Sequence, residues 1–180
     1  DLTIIWAVII AFGIIMYVMM DGFVLGQGIL FPFAPNEESR DVMMNSVAPI
    51  WDGNGTWLIL GGAGLLAAFP RVYTIILPAL YIGVFLMLAG FIFRGVAFEF
   101  RFKARTSRYI WNWGFSIGSI VAAFAQGAVV GSYIQGFNVV DGVYVGGALD
   151  WLTPFTVLTG LGIVAGYGLL GATWLILKSQ

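Results

Sequence analysis

Long uncharged apolar stretches, separated by short polar or charged intervals, dominate this chain. Residues 2–20 carry no charge, and after Asp21 the apolar sequence resumes to about Leu30. Four more such stretches follow, beginning near Gly53, Val72, Trp111 and Trp151. A spanning helix needs ~20 mainly apolar residues, so the pattern predicts spans at about 2–30, 52–70, 72–93, 111–133 and 152–177. The second is short, and its glycines lower helix propensity. Pro78 and Pro154 fall near predicted starts, where a missing N–H matters least. The interval after the first span is more than a loop. Pro32 and Pro35 end the first helix, Asn36 is a candidate N-cap, and Glu37 and Glu38 suit a first turn. With Val42, Met43 and Val47 on one side, a short helix over 36–47 is predicted to lie in the membrane interface. No linker, low-complexity tract or internal repeat interrupts residues 1–180. The expected fold class is all-α: one membrane domain, a polytopic helix bundle of about five transmembrane helices plus the interfacial helix.

Composition strengthens this picture. Hydrophobic residues make up 60% of the chain and charged residues 9%, against about a quarter charged in soluble domains. The chain reads as an integral membrane protein. A net charge of −1 gives no pointer to nucleic acid. The first residue is Asp1, so the start is expected to be trimmed or partial, and no cleavable signal peptide is evident. There is no cysteine, which excludes disulfides and thiolate metal sites, and no histidine, the commonest haem ligand and neutral-pH proton shuttle. No P-loop, GxSxG, metalloprotease helix or dinucleotide fingerprint is present, and no metal-ligand cluster is expected. What remains is proton transfer through carboxylates, or support of a partner's site.

Charge also suggests an orientation. Arg94, Arg101, Lys103, Arg105 and Arg108 are five of the eight Lys and Arg residues. They place the 94–108 loop in the cytoplasm, with the Asp141 and Asp150 loop and the N-terminus outside. The 31–50 connection and Asp52 then lie on the cytoplasmic side. Ionisable groups at membrane depth are candidates for function. Asp21 has about ten apolar residues after it and would lie inside the bilayer boundary. Asp52, in APIWDGNGTW, opens the second span, where it could equally be an N-cap. The basic residues serve first as a topology signal. Trp51, Trp57, Trp111, Trp113 and Trp151 lie where an aromatic belt would put them. Gly22 with Gly26, and Gly162 with Gly166, have the spacing of close helix contacts.

Five stretches carry a resemblance: MDGFVLGQGILFPF, MMNSVAPIWDGNGTWLILGG, FRGVAFEFRFK, AQGAVVG with YIQG, and DWLTPF with GYGLLGATWL. Together, in order, they resemble subunit II of the cytochrome bd-type quinol oxidases, especially the cyanide-insensitive branch. Family members continue beyond the equivalent of Gln180, so the chain resembles the N-terminal half of such a subunit.

The resemblance implies a terminal oxidase of the bacterial inner membrane that oxidises ubiquinol and reduces dioxygen to water. It implies a heterodimer with a haem-bearing subunit I that holds haems b and d and the quinol site, with no cofactor on this chain. Asp52, Glu99 and Lys103 would line a proton route from the cytoplasm. Asp21, from its depth in the first span, is a further candidate for it. Trp57 matches a tryptophan associated with an oxygen path. Two positions depart from the family. Val24 replaces the second aspartate of DGFD, and Gly55 stands where glutamate or glutamine usually follows WDGN. Each loses a polar group near the implied route. The alternative reading from the residues is half of a proton- or ion-coupled transporter or channel, with Asp21 and Asp52 as ion ligands.

Overall fold

A computed structural model describes residues 1–104 and 106–178. Its described elements are helices α1 (Leu2–Leu30), α2 (Glu37–Val47), α3 (Trp51–Ala68), α4 (Pro70–Arg101), α5 (Arg108–Gln135) and α6 (Pro154–Lys178). A 3₁₀ turn, Phe31–Phe33, closes α1 around Pro32. Strands β1 (Val139–Val140) and β2 (Val143–Tyr144) form an antiparallel hairpin before α6. Its turn, Asp141–Gly142, has φ of 49° and 78°, the left-handed pair that an Asp-Gly dipeptide tolerates. Among the described residues the chain is all-α apart from this hairpin.

Among the described residues, α1 with its 3₁₀ turn, α4, α5 and α6 are long and apolar enough to cross a membrane. Helix α3 is not among them. It has 18 residues, and Asp52, Asn54 and five glycines lower its mean hydropathy. Apolar side chains cover the outside of the bundle: Ile5, Val8, Phe12 and Ile15 of α1 are all exposed, as lipid contact requires.

The 94–108 interval is only partly a loop. Helix α4 continues to Arg101 and α5 begins at Arg108; Arg105 lies outside the described residues. The apolar pattern carries on past Arg94 through Val96, Ala97 and Phe98, and both Arg94 and Arg101 find carboxylates inside the protein. Charge therefore does not end the helix. Because α4 starts at Pro70, Pro78 sits in its interior rather than its first turns.

Helix α5 is central, packing against α4, α6 and α1, while α3 leans mainly on α1. Small residues set the crossings. A Cβ on Gly26 would overlap the Tyr167 carbonyl, so α1 and α6 touch backbone to backbone at Gly26 and Gly171. Helices α4 and α5 cross the same way at Gly90 and Gly118. By contrast, Gly162 and Gly166 face open space, so their matching spacing marks no contact within this chain.

Helix α2 is capped as expected: the Asn36 side chain accepts from the Ser39 N–H at 2.8 Å. Its inner face is Met43, Met44 and Val47, packed with Val24, Phe31, Ala97, Phe98 and Phe115. Val42 lies outside this face, exposed, because it is one position out of phase with the buried row.

Candidate functional site

Two polar assemblies stand out against this apolar bundle. The first is deep within it. Asp21, on α1, is 1% exposed. The Arg94 Nη1 of α4 donates to Asp21 Oδ1 at 2.9 Å and Oδ2 at 3.0 Å. Tyr17, one turn earlier on α1, donates its hydroxyl to Oδ2 at 2.9 Å. The Tyr17 oxygen accepts from Gln126 Nε2 at 2.8 Å, and Tyr167 of α6 donates to Gln126 Oε1 at 2.8 Å. One continuous hydrogen-bond chain thus ties α1, α4, α5 and α6. The Arg94 guanidinium also lies over Phe91, 5.1 Å from the ring centroid. A buried charge is tolerable when paired and hydrogen-bonded, and Asp21 is both. The Arg94 Nε is buried without a hydrogen-bond partner.

The second assembly holds α2 to the ends of α4 and α5. Arg101 is fully buried. Its Nε donates to Asn112 Oδ1 at 2.6 Å, its Nη2 to Glu37 Oε2 at 3.0 Å, and its Nη1 to Asp41. Arg108 Nη2 reaches both Asp41 oxygens, at 2.7 and 3.0 Å. Asn112 Nδ2 donates to Glu37 Oε1 at 3.0 Å, and Arg40 pairs with the same oxygen. Burial pushes the Glu37 carboxyl up, but its hydrogen bond and charge contact with Arg40, the Arg101 charge and Asn112 outweigh this and leave it lowered. Asp41 is lowered likewise, burial being outweighed by Arg101 and Arg108.

The residues singled out from the sequence fall into separate settings. Asp21 belongs to the deep chain. Asp52, Glu99 and Lys103 are all exposed, at the end of the bundle that carries α2. Glu99 and Lys103 face each other at 3.9 Å, one turn apart, with side chains 59% and 77% exposed. Trp57 is half-buried, its ring edge-on to Phe12 with centroids 5.9 Å apart. Of the two departures, Val24 is fully buried in the cluster under α2, and Gly55 borders open space.

Asp52 does not cap α3. The N-cap position is Ile50, with no side-chain cap bond, and Asp52 stands in the first turn, where a carboxylate favours the helix dipole. Its neighbours in the WDGN motif do the anchoring. The Trp51 ring stacks on Phe98 with centroids 4.8 Å apart. Asn54, 2% exposed, donates to the Met20 carbonyl at 3.1 Å, beside Asp21. Trp51 and Asn54 are three apart and share the inward face. Asp52 is consequently held outward, with no hydrogen bond or ion pair to any described residue.

Arg94 and Arg101 are buried. From the sequence they read as topology charges, yet Arg94 and Arg101 are structural partners of Asp21, Glu37 and Asp41. One signal was present: Arg94 and Arg101 are seven apart, which puts them on one face of a continuing helix.

Among the described residues no group of three or more His, Cys, Asp or Glu could hold a metal ion. The chain has no histidine or cysteine, and the buried Met43 and Met44 are packed among Val24, Phe31 and Phe98.

The profile for "Cytochrome bd terminal oxidase subunit II" matches residues 2–180. The chain is 37% identical over 186 residues to "Cytochrome bd-I ubiquinol oxidase subunit 2" of Escherichia coli, covering 99% of this chain and 49% of that protein. It is 36% identical over 186 residues to "Probable cytochrome oxidase subunit 2" of Haemophilus influenzae, again covering 99% and 49%. With "Cytochrome bd ubiquinol oxidase subunit 2" of Bacillus subtilis it shares 29% over 160 residues, 87% of this chain and 47% of that one. The chain spans about half the length of these relatives. A membrane helix bundle matched by one profile from its second residue to its last, and by curated relatives over nearly all its length, belongs to the cytochrome bd terminal oxidase subunit II family.

Proposed function

We propose that this chain works as the non-haem membrane subunit of a cytochrome bd-type ubiquinol oxidase, beside a haem-bearing subunit I that holds haems b and d. The carrying observation is the family match over residues 2–180 in a chain with no histidine or cysteine. Quinol oxidation releases electrons and protons; reduction of dioxygen to water consumes both. On this reading the chain supplies scaffold and a proton entry, and the redox steps belong to the partner. Family membership favours this over the transporter reading. The test is co-purification: tagged full-length protein from its native membrane should bring a haem-containing partner and quinol-driven oxygen uptake. Recovery without haem would overturn it.

The proposed proton entry uses Glu99 and Lys103 as exposed collecting groups and Asp52 as the acceptor at the corner formed by Trp51 and Phe98. Asp21, the deeper candidate on that route, is bound by Arg94 and Tyr17, which also fixes the bundle beside the entry. Trp57, edge-on to Phe12, is kept as the proposed oxygen-path residue. The chain is further proposed to lie in the bacterial inner membrane as one domain, α3 included among its spans. The end carrying α2, Asp52 and Lys103 would face the cytoplasm and the N-terminus outside, because the basic residues gather at that end. Single cysteines at Ser107 and Gly142 should label from opposite faces; labelling from one face would refute the orientation.

A further inference from the structure

We propose that the hollow between α2 and the first turns of α5 binds the headgroup of an anionic phospholipid, with Arg40 as its cation. The hollow has a volume of about 210 Å³ and is bordered by Phe31, Pro32, Arg40, Tyr109, Asn112 and Trp113. Glu37 also borders it, but its oxygens are already held by Arg40, Arg101 and Asn112.

Charge bookkeeping in the α2 assembly points to Arg40. Three guanidiniums, Arg40, Arg101 and Arg108, meet two carboxylates, Glu37 and Asp41. One positive charge is left over. Arg101 spends every nitrogen on a partner; Arg108 holds both Asp41 oxygens and lies 3.7 Å from Glu37 through an Nε that makes no described hydrogen bond, but it does not border the hollow, whereas Arg40 does. Arg40 touches Glu37 through Nη1 alone; its Nε and Nη2 have no described hydrogen-bond partner. Its guanidinium lies 6.0 Å from the Phe31 ring centroid, which fixes it at the wall of the hollow. The neighbouring Glu38 is exposed and does not border the hollow.

The other wall suits a lipid rather than a free anion. Tyr109 and Trp113 are one turn apart on α5, 65% and 57% exposed, and neither polar atom is bonded to a described residue. Such side chains sit at headgroup level, with a polar tip for phosphate or glycerol oxygens. Below them Ile117 and Ile120 continue an exposed apolar strip along α5, a track for an acyl chain. An unbalanced cation at the top of an apolar strip is complementary to a negatively charged lipid. This inference rests on the membrane reading of the chain and on no step of the proton route.

The test uses the purified oxidase complex containing the full-length chain, stripped of lipid in neutral detergent and titrated with phosphatidylglycerol or phosphatidylcholine under native mass spectrometry. Wild type should retain phosphatidylglycerol preferentially, and Arg40→Gln should weaken that retention by about fivefold, the worth of one basic residue at a charged surface. Arg71→Gln, an exposed arginine on the opposite end, should leave it unchanged. Equal retention by Arg40→Gln and wild type, or no preference over phosphatidylcholine, overturns the proposal. Should Arg40→Gln loosen α2, Trp113→Ala decides: lowered retention supports the site, and unchanged retention refutes it. Glycerol 3-phosphate has the charge without the chains and should fail to displace the lipid. Displacement would make this a free-anion site and refute the lipid claim. Oxygen uptake by the same complex reports separately on the oxidase reading.

Discussion

Asp21 and Asp52 are the same residue type on adjacent, packed helices, and the fold treats them in opposite ways. Asp21 is enclosed, neutralised by Arg94 and held by Tyr17. Asp52 stands exposed, with Trp51 and Asn54 fastened on either side of it. A carboxylate bound to a fixed guanidinium in an apolar interior is part of the framework, because protonating it would strand the arginine. A carboxylate facing outward without a described partner is the setting that the proposed proton entry calls for. On the proposed reading the exposed aspartate takes part in proton entry, while Asp21, the deeper candidate for the same route, is tied to Arg94 and Tyr17.

Breaking the deep pair should have the largest effect on stability. Asp21→Ala leaves Arg94 buried without a counter-charge, and such losses run ~3–5 kcal/mol. The thermal midpoint of the complex in detergent should fall sharply, with poor yield. Replacing both partners by apolar groups, Asp21→Leu with Arg94→Met, should recover much of that loss, since a neutral pair of similar volume removes the stranded charge. A single variant as stable as wild type would remove the distinction between the two aspartates.

The assembly at α2 should respond to acid, by a smaller amount. Glu37 and Asp41 are both lowered in the folded protein: burial opposes this, and their arginine partners outweigh it. A lowered folded value means that the contribution is present above the ordinary carboxylate range and is lost as the pH falls through the folded values. Both groups are partly exposed, with side chains 44% and 35% accessible, so solvent screening limits each to at most ~1 kcal/mol. Thermal midpoints should decline below roughly pH 5, and Glu37→Gln with Asp41→Asn should flatten that decline. A slope unchanged by the double variant would mean that α2 is held by Met43, Met44 and Val47 alone.

The helices were legible because apolar stretches of spanning length can be little else. The end of α4 was harder to read: the apolar pattern and the seven-residue spacing of Arg94 and Arg101 hint at a longer helix, but the carboxylate that makes Arg94 tolerable inside it lies 73 residues away. The same holds for Arg101 and Asp41. Spacing also fails to say which side of a helix meets a neighbour. Gly22 and Gly26 press on Tyr167, Leu170 and Gly171, while Gly162 and Gly166, equally spaced, meet nothing. In WDGN the three-residue interval between Trp51 and Asn54 was readable as one helical face, but not which partner each would find. The α2 cap at Asn36 was readable outright, because capping is settled within three residues.

Asp52→Asn tests the central claim most directly. Asparagine keeps the size and much of the hydrogen bonding but cannot cycle a proton, and in the first turn of α3 its effect on stability should stay within about 0.5 kcal/mol. With assembly and haem content of the complex intact, quinol-driven oxygen uptake per haem should fall at least ~10-fold, within the range general acid–base groups contribute. Normal assembly with wild-type uptake would contradict the account and leave Asp52 as a surface carboxylate of the first turn.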